Sequence, residues 1–371
     1  MLIIDGDYPM AVGALDMDRD LTGPIDEVRA ATGGFKRYRQ WSDTETMASL
    51  PEMRKGNIAA ALVKVVACVL KPGHPHGEFR TADIAHAAAR GQLAYYQLLE
   101  AKGEARLLTN SDDFTEHIQT WSEADGSTDL PVGMVIGMEG ADAIGWPQQV
   151  RYWWDAGVRV ISLSHYGVSY YSHGTGTGTD GGLQPGADEL LKEMDDLGMV
   201  LDVSHTSDES VRQELEIFTG PVLASHQNCR ALVPGERQFP DEQLKWVIDR
   251  GGVIGASMDT WMLNSTHQLD WGGDIPPRRT VFARESITLE DYVDHIDRVC
   301  QLAGNSLHAA IGGDTDGQGG REGAPYEIDT VADYPKVANI LDKRGYSRED
   351  VENVMYRNWQ RFFEKWLPEK S

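Results

Sequence analysis

Short apolar runs recur along the chain, and most stop on a polar or charged side chain. The first, Leu2-Ile3-Ile4, is closed by Asp5-Gly6-Asp7-Tyr8-Pro9. Others lie at Asn57–Leu70, Pro131–Met138, Val158–Ser164, Met199–Ser204, Pro221–Ser225, Gly252–Met258 and Leu307–Gly313. Apolar runs bounded by turn signals read as strands buried on both faces. Helical spacing separates most of them. Ala85–Lys102 repeats apolar positions at Ala88, Leu93, Tyr96, Leu98 and Leu99, and Gln149–Ala156 makes a shorter helix. Pro185 suits a first helical position, Leu190, Leu191, Met194 and Leu197 line one face, and Gly198 marks the stop. Further helices are expected over 207–218, 241–250 and Thr288–Ala303. Ser347-Arg348-Glu349-Asp350 is a capping pattern. It opens a helix over 348–367 whose stripe of Val351, Val354, Met355, Trp359, Phe362, Phe363 and Trp366 should pack on the core. Residues 10–56 predict irregular structure or an inserted hairpin, 108–130 an acidic connector, and 166–182 and 260–287 long loops.

Eight strands alternating with helices predict an α/β chain folded as a closed (β/α)8 TIM-type barrel. No linker-like stretch divides it, so residues 1–371 read as a single domain. No strand leads into G-x-G-x-x-G or a P-loop, which removes support for nucleotide binding.

Composition narrows the function. The net charge is −24, which repels phosphate backbones, so nucleic-acid binding is not expected. No apolar run approaches about 18 residues, so no membrane span is expected. The N-terminus lacks the pattern of a secretory signal. Cys68, Cys229 and Cys300 are widely spaced and form no CxxC pair. That suits a reducing compartment, and a cytoplasmic protein is expected.

The ends of the apolar runs carry the chemistry. MVLDVSH ends at His205 and PVLASH at His226, two Ser-His ends in consecutive strand–helix units. Asp5, Asp7, Glu139, His165, Asp259 and Asp314 end other runs. A barrel brings such ends to one rim, where carboxylates and imidazoles form a set suited to Zn, Mn, Fe or Co. His74 and His76, beside Pro and Gly, read as loop histidines instead.

These residues resemble the membrane (renal) dipeptidase family of zinc metallopeptidases, within the amidohydrolase-type barrels. The resemblance covers nearly the whole chain. It rests on GMEG around Glu139, LSH at His165, LGMVLDVSH ending at His205, PVLASHQNCRAL around His226, RQFPDEQL from Arg237 and IGGDTDG around Asp314. It implies hydrolysis of a dipeptide or small dipeptide-like amide by a metal-bound hydroxide. Glu139 would bridge two zinc ions, with His205 and His226 on one of them. Asp314 would move the water's proton to the leaving amine, His165 would stabilise the oxyanion, and Arg237 would grip the substrate carboxylate. The family forms homo-oligomers, so one is expected here.

The chain departs from the pattern twice. The family's His-x-Asp-x-Pro falls on Asp5-Gly6-Asp7-Tyr8-Pro9, so Asp7 matches the aspartate but Asp5 stands where histidine is expected. A carboxylate there adds negative charge, lowers the ion's Lewis acidity and shifts preference toward Mn or another hard divalent ion. Three arrangements are open: Asp5 binds directly, one zinc sits on His205 and His226 alone, or the site is vestigial. Asp259 is the second departure. It either repels a substrate carboxylate and signals an altered substrate, or pairs with Arg278, Arg279 or Arg284. Beside the dipeptidase stand two rivals: a divergent enzyme acting on a non-peptide amide or doing non-hydrolytic chemistry, and a non-catalytic barrel.

Overall fold

The computed structural model describes all residues except 32–44, 71–77, 125–128, 179–180, 268, 272–274, 318 and 371. Eight parallel strands form the central ring: β1 (Ile3–Tyr8), β2 (Ile58–Val66), β3 (Val132–Glu139), β4 (Val158–Ser162), β5 (Val200–Asp202), β6 (Val222–Leu223), β7 (Ile254–Ala256) and β8 (Ala309–Ile311). Ladders join β1 to β6 in order and β7 to β8. The two seams are closed by backbone hydrogen bonds. Ala224 N–H donates to Val253 O at 2.9 Å and Gly255 N–H to Ala224 O at 2.8 Å, while Asp314 N–H donates to Asp7 O at 3.1 Å. The expected α/β barrel is therefore present.

Its strands are buried on both faces, as their apolar runs require. Several are shorter than the apolar runs; β2 stops at Val66 rather than Leu70. A further short strand, Ala105–Leu107, pairs with Val132–Met134 and fills the edge of β3 below the point where β4 joins it. One continuous core cluster runs between the ring and the surrounding helices.

Three expectations are corrected. Residues 10–56 contain helices rather than an inserted hairpin among the described residues: Met10–Asp16, Ile25–Ala31 and Leu50–Lys55. Each buries a few apolar side chains, such as Met10 and Ala11, Ile25 and Val28, or Leu50 and Met53, too few to show as a period. The supposed connector over 108–130 holds a helix, Ser111–Glu123. Asn110 caps it by accepting from Asp113 N–H at 2.9 Å, and Phe114, His117, Ile118 and Trp121 make its buried face. Acidic residues around that i, i+3, i+4, i+7 pattern hid it. The helix after Pro185 begins two residues later, at Ala187, because Gly186 takes a left-handed conformation; Gly198 ends it as expected. A helix over Pro335–Lys343 had no counterpart in the sequence reading. His74 and His76 lie outside the described residues.

The C-terminal segment docks against β8 through side-chain bonds to backbone. Asn358 Nδ2 donates to Ser306 O and Ala309 O, each at 2.7 Å, and Trp359 Nε1 donates to Ile311 O at 2.7 Å. It is not one regular helix. A π-helical turn over Asn353–Arg357 separates Arg348–Glu352 from Asn358–Trp366.

Candidate metal centre

The strand ends meet at one rim. Glu139 is the last residue of β3, and His205 and His226 follow β5 and β6 by three residues each. His205 sits in a left-handed conformation (φ 66°), as does Asp314 beyond β8 (φ 53°). Such backbone is costly for residues other than glycine and is held only where surrounding contacts enforce it. At His205 those contacts come from the loop over 166–182. Thr175 N–H donates to His205 O at 2.8 Å, and Thr175 Oγ1 is hydrogen-bonded to His205 Nδ1 at 3.2 Å. The loop therefore aims the imidazole.

Three atoms converge. Glu139 Oε1 lies 3.2 Å from His205 Nε2 and 3.3 Å from His226 Nε2, and the two imidazole nitrogens are 2.8 Å apart. Donors at roughly 2.0–2.1 Å from a tetrahedral zinc ion are spaced by about 3.3 Å, so the triangle fits one ion. Glu139 Oε1 is buried and has no hydrogen-bond donor among the described residues. Both Nδ1 atoms face hydroxyls, since His226 Nδ1 is 2.8 Å from Ser225 Oγ. That arrangement places the N–H on Nδ1 and leaves the Nε2 lone pairs aimed at the shared point. His165 offers a nitrogen within 4.8 Å of the Glu139 and His205 donors. Its Nδ1 also lies 3.6 Å from Cys68 Sγ.

Asp7, His226 and Asp314 form a second close group. Asp7 is tied to a residue the sequence reading passed over. Lys64, fully buried in β2, places Nζ 3.0 Å from Asp7 Oδ1, 2.7 Å from Asp202 Oδ2 and 3.1 Å from Ser225 Oγ. Burial works against its charge, but Asp202, Asp7 and Glu139 hold its pKa above the usual lysine value. Burial likewise opposes the charge of Glu139, which Lys64, His226 and His165 nevertheless keep below the ordinary carboxylate range. A lysine inside the run NIAAALVKVVACVL was the available signal.

Asp5 belongs to neither group. Its Oδ1 accepts from Gly313 N–H at 2.7 Å and Asp7 N–H at 3.2 Å. Burial pushes its pKa up to about 7 against those bonds. The carboxylate expected at the first metal is thus hydrogen-bonded through Oδ1 across the seam between β1 and β8.

Asp314 Oδ2 accepts from Ser257 Oγ at 3.0 Å. Burial raises its pKa to about 7; the charge of Asp7 adds to this, while His226 and Arg237 oppose it. Arg237 is buried and makes no surface ion pair. Its Nη1 donates to Gln227 Oε1 at 3.1 Å, and its Nη2 lies 3.2 Å from both His226 O and His205 Nε2. Among the described residues no carboxylate oxygen lies within 4.0 Å of it. Arg230, by contrast, is a structural pair to Asp208, with two bonds of 2.8 Å. Asp259 is occupied: its Oδ1 accepts from Arg278 Nη2 at 2.6 Å and from Trp261 N–H at 2.8 Å. Tyr166 stacks on Trp271 with centroids 5.3 Å apart and presents an edge to His205 at 4.6 Å. With Trp261 and Met262 these rings form a small apolar cluster beside the centre.

Comparison with known proteins gives a consistent set of likenesses. The family model described as membrane dipeptidase (Peptidase family M19) matches residues 17–367. An uncharacterised dipeptidase of Schizosaccharomyces pombe is 29% identical over 230 residues, 61% of this chain and 51% of that protein. A dipeptidase of Claviceps purpurea is 30% identical over 227 residues, 60% of this chain and 48% of that protein. The match spans about half the length of these two relatives. A metallopeptidase from Rhodobacter sphaeroides, solved with a phosphinate mimic of the dipeptide L-Ala-D-Ala, shares the fold with a TM-score of 0.76, at 20% identity and 99% coverage of both chains.

Proposed function

The chain belongs to the membrane dipeptidase family of metallopeptidases, and from that premise we propose that it hydrolyses a dipeptide or small dipeptide-like amide with a divalent metal held by Glu139, His205 and His226. The observation that carries this reading is the 2.8–3.3 Å triangle of donor atoms, with a buried glutamate oxygen that no hydrogen bond from the described residues satisfies. Two imidazoles and a carboxylate favour zinc, with manganese as the alternative.

The bound ion supplies Lewis acidity toward an amide carbonyl and an entering water. The chain's own residues do the rest. Asp314 accepts the proton of the attacking water and passes it to the amine as the C–N bond breaks. A carboxyl beside the centre can both take and give the proton. His165 faces the same centre and would stabilise charge on the carbonyl oxygen. Arg237, a buried cation that meets neutral acceptors among the described residues, would receive the substrate's carboxylate. Asp259 does not oppose that role, because Arg278 already neutralises it. The ligand of the Rhodobacter sphaeroides structure supports a substrate of dipeptide size here.

One continuous core supports a single domain over 1–371. Cys68, Cys229 and Cys300 are free and buried, which supports a reducing, cytoplasmic setting; we place the protein there as a homo-oligomer. Among the described residues no helix is long and apolar enough to cross a membrane. The test is a panel of L-L and L-D dipeptides with zinc- or manganese-loaded protein. Turnover of at least one is expected, and turnover of none would refute the reading.

A further inference from the structure

Lys64 lies inside the ring, in the middle of an interior strand. The fold makes room for it: Gly137, its partner across the β2–β3 ladder, lies under the lysine stem. A Cβ at residue 137 would meet Lys64 Cδ at 3.0 Å and Cε at 3.4 Å. The ammonium donates to Asp202 Oδ2 at 2.7 Å and Ser225 Oγ at 3.1 Å, and Asp7 Oδ1 stands 3.0 Å away as an ion-pair partner. A buried ammonium so matched is part of the site's architecture.

The two groups of ligand-capable side chains differ in one respect. In the first, the lone pairs of His205 and His226 converge on Glu139 Oε1. In the second, His226 turns its Nδ1 edge to Asp7 Oδ1 at 3.3 Å, and that nitrogen already meets Ser225 Oγ. A nitrogen that carries the N–H offers no lone pair to an ion. Asp7 therefore faces the edge of His226 that is turned away from Glu139, the side from which a carboxylate can bias ring orientation.

We propose that the Lys64 ammonium takes the place of one cation, so that the chain binds a single divalent ion at Glu139, His205 and His226, with Asp7 as a positioning residue acting through His226. Charge agrees with this assignment. Asp7, Asp202, Glu139 and Asp314 bring four negative charges; Lys64, Arg237 and one divalent ion bring four positive ones. A second divalent ion on Asp7 would stand within about 5 Å of the ammonium, given a metal–oxygen bond of roughly 2 Å and the Nζ–Oδ1 distance of 3.0 Å. Two cations at that spacing in a buried site repel, and the Arg237 guanidinium, 3.2 Å from His205 Nε2, already stands as near to the first ion.

The inference rests on the metal-dependent reading above, and its test does not use turnover. Protein stripped with a chelator is titrated with Co(II), following visible absorption and the metal retained after desalting. Wild type should saturate at one equivalent, and His226→Ala should retain none. Asp7→Asn should still take one equivalent, weakened by roughly 10–100-fold, as for other groups behind a ligand. Lys64→Ser, which frees Asp7, should take a second equivalent. Two equivalents in wild type would overturn the proposal while leaving a metal-dependent enzyme. No uptake at all would overturn the metal reading itself. A folded Lys64→Ser protein that stops at one equivalent would refute the role given to the lysine. If that variant fails to fold, the wild-type and Asp7→Asn stoichiometries decide.

Discussion

Arg237→Leu separates the substrate's carboxylate from the rest of the substrate. In the free protein the guanidinium is buried against a glutamine oxygen, a backbone carbonyl, an imidazole nitrogen and the Tyr166 hydroxyl, and Nε has no partner among the described residues. Neutral acceptors only partly offset the cost of taking that charge out of water. A carboxylate entering the site would complete it. Removing one partner of a buried, hydrogen-bonded charge pair costs about 2–5 kcal/mol. At about 1.4 kcal/mol per decade, that is a loss of roughly thirty-fold to a few thousand-fold in kcat/KM. The assay compares wild type and variant on a dipeptide and on its C-terminal carboxamide, with bound metal measured in both proteins. The dipeptide should suffer the full loss and the carboxamide, already a poor substrate, less than about threefold. The variant should also melt no lower than wild type, since an apolar replacement removes a buried charge without an ionic partner. Equal losses on both substrates at unchanged metal content would refute the carboxylate role and make Arg237 a support for His205 and His226.

Two further outcomes follow from buried groups. Asp314→Asn keeps the shape and removes the basic oxygen, so kcat should fall by about 10²–10⁴ with metal stoichiometry unchanged; an active variant would exclude Asp314 from proton transfer. His295 accepts from Cys229 N–H at 2.9 Å, and burial holds its pKa down at about 3. The native state keeps this ring neutral while the unfolded state protonates it near 6.5, so its contribution is complete above pH 6.5 and is lost as pH falls toward 3. Between pH 6.5 and 5 the loss approaches about 1.4 kcal/mol per pH unit. Urea unfolding of His295→Asn, which preserves an acceptor, should show a shallower acid slope than wild type; identical slopes would refute the assignment.

The strand ends were legible because an apolar run that stops at a metal-capable side chain is a local pattern. Glu139, His205 and His226 needed only their own neighbours in the chain to be picked out, and the structure brings them within 3.3 Å of one another. The helix over Ser111–Glu123 was equally local, yet its apolar period lay among acidic residues and passed for a connector. The surroundings of Asp5 are set at long range instead. Its position matches a ligand, but its side chain answers to Gly313, 308 residues away, across a seam that exists only when the ring closes.

The sequence by itself determined the alternation of strands and helices and the donor atoms gathered at the rim, because periodicity and strand-end chemistry are properties of short segments. Only the tertiary structure decided how charge is balanced inside the ring. Lys64 reads along the chain as one polar interruption in an apolar strand. Its meaning comes from Asp202, 138 residues away, and from Asp7 and the space above Gly137. A buried cation is defined by the anions around it, and here those anions come from other strands of the ring.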